Sequence, residues 1–377
     1  MLSERERGPV TEGGTRHSSL RVALALGVLA CSTTEPAPDP CTVDGVQTNP
    51  PVACGTARLT VLARYEVPSA RWTAQIGTSH QSIVLDGTDV YWSDVGGRVL
   101  RTPKLGGPTE ELLPDSGCSI SALAADDAFL FFSENCRSDQ STRSFPVRGR
   151  LVRMNKATRE SLDLALTQFA EIRSVQLRGD QVYFTMATPG DVVLRVVSRD
   201  GPTVPADAPF GAVASLHAPH LPFALGTADV YYGDNANRQV TLQKADGTTT
   251  TVATSDNFVS SIAFFNGMVH WLDWKVENLQ PVYALWRVRD GVVEPATLGP
   301  SAEYLAGEGD DYYGAADLDR DSPVTVRLLR WRSQAAPTIL AAGLHRAEGI
   351  ALDDSAVYVT DLEVIETARL TLLKVTR

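Results

Sequence analysis

The chain has 377 residues, 43 % of them apolar and 21 % charged, which is ordinary globular composition with enough apolar mass for a sizeable core. Its 34 basic and 45 acidic side chains leave a formal net charge of −11. That excludes the basic footprint by which proteins hold nucleic-acid phosphates. Few stretches keep a 3.6-residue apolar period beyond two turns, which excludes a mainly helical fold.

Residues 1–20 are polar and carry Arg5, Arg7 and Arg16, with Arg21 just beyond. An apolar run over 22–30 then ends at Cys31. A basic segment, a short apolar one and small residues at its end describe a secretory signal; the run is too short to span a bilayer. Val28-Leu29-Ala30-Cys31 resembles the bacterial lipobox, which implies cleavage before Cys31 and a lipid on its thiol. An ordinary signal peptide cut near Ala30 is the alternative. Ser32, rather than Asp, is similar to an outer-membrane address under enterobacterial sorting rules. Residues 32–40 are rich in proline and read as an extended tether. The expected organisation is a signal peptide over 1–30, a lipidated cysteine and tether with a small disulfide loop over 31–55, and a folded domain over 56–377. The expected location is the outer membrane or cell surface, held by lipid alone.

With Cys31 taken by lipid, Cys41, Cys54, Cys118 and Cys136 remain, an even number in an exported chain. Cys41 and Cys54 bracket a proline-containing loop. Cys118 and Cys136 lie symmetrically about the turn at Asp126-Asp127, so an antiparallel hairpin brings them within disulfide reach. A metal pair or free thiols are the alternatives, and the spacing is wrong for a CxxC site.

From residue 83 onward one pattern recurs seven times. An apolar strand leads through a short turn rich in Asp and Gly into an aromatic strand that usually closes on an acid. These aromatic strands start at Tyr91, Phe131, Tyr183, Tyr231, His270, Tyr312 and Tyr358, in steps of 39 to 52 residues. A third strand pairs apolar with basic residues, as at Leu100-Arg101 and Leu194-Arg195, and turns such as 199–201 and 289–291 lead to a fourth. A period of roughly 40–50 residues suits four-stranded propeller blades. The expected fold is all-β, a seven-bladed propeller of four-stranded antiparallel blades, with six blades as the alternative. The seventh unit ends after its third strand, so the strand over 59–66 is expected to close the ring.

Tyr91-Trp92-Ser93-Asp94, followed by Arg98-Val99-Leu100-Arg101 and Leu105-Gly106-Gly107, resembles the YWTD repeat of propellers of the low-density-lipoprotein-receptor type. The resemblance implies a propeller in which the aromatic and acidic positions hold blades together. Asp94, Asp234, Asp273 and Asp361 therefore read as structural.

Loops joining second to third strands and blade to blade emerge on one face, the default binding face of such a scaffold. It collects the long segments 136–149, 206–222, 274–280 and 315–323. Five residues there are binding candidates: Arg143, His217, His220, Trp274 and Asp319. Trp274, just past its strand, is suited to stack on a sugar or peptide. Asp317, Asp319 and Asp321 alternate like a calcium loop, but the glycine and distal glutamate of such a loop are missing. His217 and His220 lack a third zinc ligand. No cofactor is expected beyond that calcium possibility, and no nucleophile elbow, HExxH, P-loop or dinucleotide fingerprint occurs. The reading is a non-catalytic, monomeric envelope lipoprotein binding a protein, peptide or glycan. The alternative is a propeller enzyme, a lyase, hydrolase or quinone-type dehydrogenase, with residues around the channel.

Overall fold

The computed structural model describes residues 41, 51–67, 82–94, 97–137, 147–168, 170–188, 192–201, 206–213, 222–255, 257–277, 280–296, 305–317, 326–332, 337–364 and 368–377. Every described element is a strand. Two of them precede the blades, β1 (Val52–Ala53) and β2 (Arg58–Val67). Blade 1 is β3 (Ile83–Leu85), β4 (Asp89–Ser93), β5 (Val99–Pro103) and β6 (Glu110–Leu113). Blade 2 is β7 (Ser119–Ala125), β8 (Phe129–Arg137), β9 (Val147–Asn155) and β10 (Ser161–Gln168). Blade 3 is β11 (Glu171–Arg178), β12 (Gln181–Ala187), β13 (Val192–Ser198) and β14 (Ala206–Val213). Blade 4 is β15 (Phe223–Leu225), β16 (Val230–Asp234), β17 (Gln239–Gln243) and β18 (Thr249–Thr254). Blade 5 is β19 (Phe258–Phe265), β20 (Met268–Glu277), β21 (Gln280–Arg289) and β22 (Val292–Pro295). Blade 6 is β23 (Ala306–Glu308), β24 (Asp311–Asp317), β25 (Val326–Arg332) and β26 (Thr338–Leu344). Blade 7 is β27 (Ala347–Asp353), β28 (Ala356–Val364) and β29 (Ala368–Thr376), with β2 paired antiparallel to β29 as its outer strand.

The fold is a seven-bladed β-propeller. Successive inner strands touch in order around the ring, including β27 against β3. The described apolar core is seven clusters, each shared by two consecutive blades, the seventh-to-first junction included. The sequence pattern explains this directly. Side chains alternate across a strand, so Tyr91 packs toward blade 2 while Trp92 packs toward blade 7. Phe131 and Phe132 divide in the same way between blades 3 and 1. A sheet with two greasy faces is stable only between two neighbours.

Blade 6 corrects the alignment read from the sequence. Tyr313, not Tyr312, packs toward the next blade and pairs with Arg330, as Tyr91 pairs with Arg101. Two adjacent tyrosines offered two registers, and the sequence alone could not choose between them.

Both pairs of cysteines form disulfides, Cys41–Cys54 and Cys118–Cys136. The second closes the top of β7 on β8, next to the Ser119–Asn135 register pair. Gly97 (φ +85°) lies so close to the Cys118 carbonyl that a Cβ would not fit there. Residues 52–53, placed with the tether in the sequence reading, pair as β1 with Ala341 and Ala342 of β26 and add a fifth strand to blade 6.

Candidate functional site

On the face of the inter-blade connections, the acids that close the second strands are buried and used. Asp94 accepts from the Arg98 amide at 2.9 Å and pairs with its guanidinium. Asp234 takes the Asn237 amide at 3.1 Å and its side-chain Nδ2 at 2.8 Å. Asp273 accepts from Ser255 Oγ at 2.6 Å and Asn257 Nδ2 at 3.3 Å. Asp361 accepts from the amides of His345 and Arg346 at 2.8 and 2.9 Å. The first two fasten their own hairpin and the last two fasten the connection entering their blade. Their structural reading holds.

A second set of ties joins blade to blade. Asn135 donates to the Ile172 carbonyl at 2.8 Å and accepts from the Ile172 amide at 2.9 Å. Asn235 does the same with Val259, at 3.0 and 2.7 Å. Gln176 donates to the Phe223 carbonyl at 2.7 Å and accepts from the Leu225 amide at 3.2 Å. Sequence reasoning missed these three. The available signal was the repeated acid–Asn pair at 134–135 and 234–235.

The junction of blades 4 and 5 is where these ties converge on a half-exposed surface. Asp273 holds Ser255 and Asn257, which fixes the entry of β19. The Arg238 carbonyl accepts from the Ser255 amide at 2.8 Å. Phe258, the first residue of β19, is thereby set opposite Trp274 of β20. The two rings stand 5.6 Å apart, tilted by 33°. The exposed Arg238 guanidinium lies 5.6 Å from the Phe258 ring centre. Its backbone is left-handed (φ +52°), a conformation that non-glycine residues seldom adopt.

Trp274 does not lie past its strand. β20 runs to Glu277, four residues beyond Asp273 where the sequence reading ended it, and its last register pair with β21 is Glu277 opposite Gln280, so Trp274 is half-buried within β20. Residues 206–213 of another expected long segment are β14. Asp317 ends β24. Arg143, His217, His220, Asp319 and Cys31 lie outside the described residues, so Trp274 is the one candidate whose surroundings can be read.

Both described histidines are built into the framework. His270 is fully buried, stacked on Phe265 at 3.9 Å with Tyr312 at its edge. Burial, reinforced by Arg287, pushes its pKa down to about 4 and keeps it neutral. His345 lies between Asp361 (Nδ1, 3.2 Å) and Glu363 (Nε2, 3.3 Å). The Asp361 hydrogen bond raises its pKa against the opposing effect of burial. Among the described residues one group of three metal-ligating atoms lies close together, Cys118, Glu134 and Cys136. The disulfide takes both sulfurs, which leaves a single carboxylate that already pairs with Arg150.

No family model matches the chain, and no curated protein matches it. Solved structures match in number, 448 chains in all, so the architecture is widely shared and does not select one activity. A chain of the mitotic checkpoint complex aligns at 12 % identity and a TM-score of 0.58, over 84 % of this chain and 95 % of that one. A chain from the S. cerevisiae Dbp5 assembly with Nup159 and Gle1 aligns at 9 % identity and 0.51, over 85 % and 95 %. A prolyl endopeptidase aligns at 12 % and 0.51, over 78 % of this chain and 46 % of that one. At such identities the likeness shows the propeller fold alone.

Proposed function

We propose that this protein is a non-catalytic envelope scaffold, tethered by lipid at Cys31, that binds its ligand through the loop face of the propeller. The observation that carries this reading is the Arg238–Phe258–Trp274 ledge. It is half-exposed and aromatic, and it is framed by residues fixed through hydrogen bonds, so little ordering is needed when a ligand arrives. The histidines at hand argue the same way, because one is enclosed and both ring nitrogens of the other face carboxylates. Two disulfides suit an exported chain, and the lipobox-like run before Cys31 supplies the anchor. A monomer bound to the membrane by lipid only is the simplest assembly.

Two measurements test this. Cys31→Ser should move the full chain from the membrane to the soluble fraction of the expressing cell. Calorimetric titration with envelope-derived glycans, peptides and proteins should find a ligand that is recovered unchanged by mass spectrometry. Conversion of that ligand into product would replace the scaffold reading with the enzyme one.

A further inference from the structure

Cys41 is fixed to a defined place on the ring. It is bonded to Cys54, with the two Cα atoms 5.4 Å apart. Cys54 follows β1, and its amide donates to the Leu340 carbonyl of β26 at 3.1 Å. The attachment point is therefore the outer edge of blade 6, where β1 is the fifth and outermost strand. The next strand, β2, is the outermost strand of blade 7. The nine residues between Cys31 and Cys41 lie outside the described residues, but covalent geometry limits the reach of any chain. The ten residue steps from Cys31 to Cys41 span at most about 35 Å, whereas the twenty-one steps from Cys31 to Val52, where β1 begins, would span about 70 Å. The Cys41–Cys54 bond thus halves the leash.

The edge that the leash reaches carries side chains suited to a lipid surface. Val61 on β2 and Val292 and Val293 on β22 are exposed, on the outer strands of the two blades that flank blade 6. Arg58 and Arg64 of β2 are exposed too, and neither forms an ion pair among the described residues. Apolar side chains enter the headgroup layer, and guanidinium groups meet lipid phosphates. Leu162 and Leu166 on β10 are comparably exposed, but blade 2 stands across the ring from the attachment point. A net charge of −11 does not have to bring this chain to the membrane, because the anchor is covalent. It acts only on orientation, against turning acidic faces toward anionic headgroups.

We propose that the Cys41–Cys54 disulfide is a leash clamp that turns the outer rim of blades 5, 6 and 7 toward the lipid surface. The ring then stands edge-on, with its loop face uncovered. This rests on the lipid anchor at Cys31 proposed above and adds the surface that meets the membrane.

The test uses the lipidated full chain in vesicles of phosphatidylethanolamine and phosphatidylglycerol that carry a headgroup quencher. A fluorescent non-natural residue replaces Thr60 of blade 7, Val293 of blade 5 or Leu166 of blade 2, one in each preparation. Quenching at the first two positions should exceed that at the third ~2-fold or more, since only the first two lie beside the leash. Two variants lengthen the leash in different ways: Cys41→Ser with Cys54→Ser, and a Gly-Ser insertion of about ten residues between Asp39 and Pro40 that keeps the disulfide. In both, the contrast should shrink below ~1.5-fold while the chain stays on the vesicles. The insertion leaves every described residue in place, so the outcome does not depend on how the cysteine variant folds. Equal quenching at the three positions, or the strongest at Leu166, overturns the rim assignment. A contrast that survives both longer leashes overturns the clamp. A parent chain that does not partition to vesicles, or a Cys31→Ser chain that stays on them, overturns anchor and rim together and leaves ligand binding by the loop face to its own titration.

Discussion

Asn235 shows how much a single side chain carries in this fold. Its amide satisfies both the N–H and the C=O of Val259, a buried residue of the next blade. Removing it leaves two buried backbone groups without a partner, each costing about 1–3 kcal/mol. Asn235→Ala should therefore lower the urea-derived unfolding free energy by about 2–6 kcal/mol, with Asn135→Ala close behind. A loss under ~0.5 kcal/mol, the level of an ordinary surface change, would show that water replaces the clamp. His345 makes a prediction of opposite pH sense from a carboxylate. Its folded pKa is raised above the unfolded value of about 6.5. The stability it contributes is fully present below that value and is lost as pH rises through the folded pKa. The melting temperature should fall as pH climbs from 6 into the alkaline range, and His345→Gln should flatten that slope. Equal slopes in the two proteins would exclude the imidazolium between Asp361 and Glu363 as the source.

At the scale of elements, what could be read in advance was whatever repeats along a strand. The alternation of Tyr91 with Trp92, and of Phe131 with Phe132, reveals sheets buried on both faces, and its recurrence gives the blade count. The Asp-rich turns and the Cys118–Cys136 hairpin are equally local. Ties that join distant segments leave no such trace: Asn135 meets Ile172 and Asn235 meets Val259 across blade boundaries. The ledge was half-legible for the same reason. Trp274 stood out by residue type, but Phe258 and Arg238 acquire meaning only through the register of β19 on β20 and the Ser255 bridge. Ring closure was the one long-range feature the pattern did expose, because blade 7 lacked a strand and 59–66 had no partner. β2 pairs with β29 along its length, from Arg58 opposite Thr376 to Val67 opposite Ala368. Deleting residues 56–67 should expose the β29 edge and abolish cooperative unfolding in thermal and urea scans. A truncated protein that melts like the intact one would contradict this closure. Gly307 offers a finer test of blade contact. A Cβ there would overlap the Phe265 ring, which is already stacked on His270. Gly307→Ala should destabilise by about 1–3 kcal/mol, as overpacking does, and Phe265→Leu should relieve part of that loss.

Across the whole ring, the face opposite the ledge carries a relay of charge. Asp86 of blade 1 meets Lys156 of blade 2 at 2.6 Å, and Asp126 of blade 2 meets Arg199 of blade 3 at 2.9 Å. Glu308 of blade 6 pairs with Arg377 of blade 7, and Asp353 of blade 7 meets Lys104 of blade 1 at 2.8 Å, across the closure. Asp86, Asp126 and Asp353 also cap their own turns, as where Asp86 accepts from the Thr88 and Asp89 amides at 2.9 and 2.8 Å. Burial works against ionisation of Asp86 and Asp353, yet Lys156 and Lys104, helped by these amides, hold both carboxyls well below the usual range. Their contribution is therefore present above the unfolded pKa of about 3.9 and is lost as pH falls through the depressed folded values. Since the partners belong to adjacent blades, that loss loosens blade junctions rather than single turns. The urea midpoint should drop steeply as pH is lowered from about 4 toward 2, because the same carboxyls take up protons there in the unfolded chain while the folded ring keeps them ionised. Lys104→Met and Lys156→Met together should lower the midpoint at neutral pH and leave a shallower drop in acid, because the bases that favour the ionised carboxylates are gone. An acid limb just as steep in the double variant as in the parent would mean that the turn caps, and not the inter-blade pairs, set the acid sensitivity of the ring.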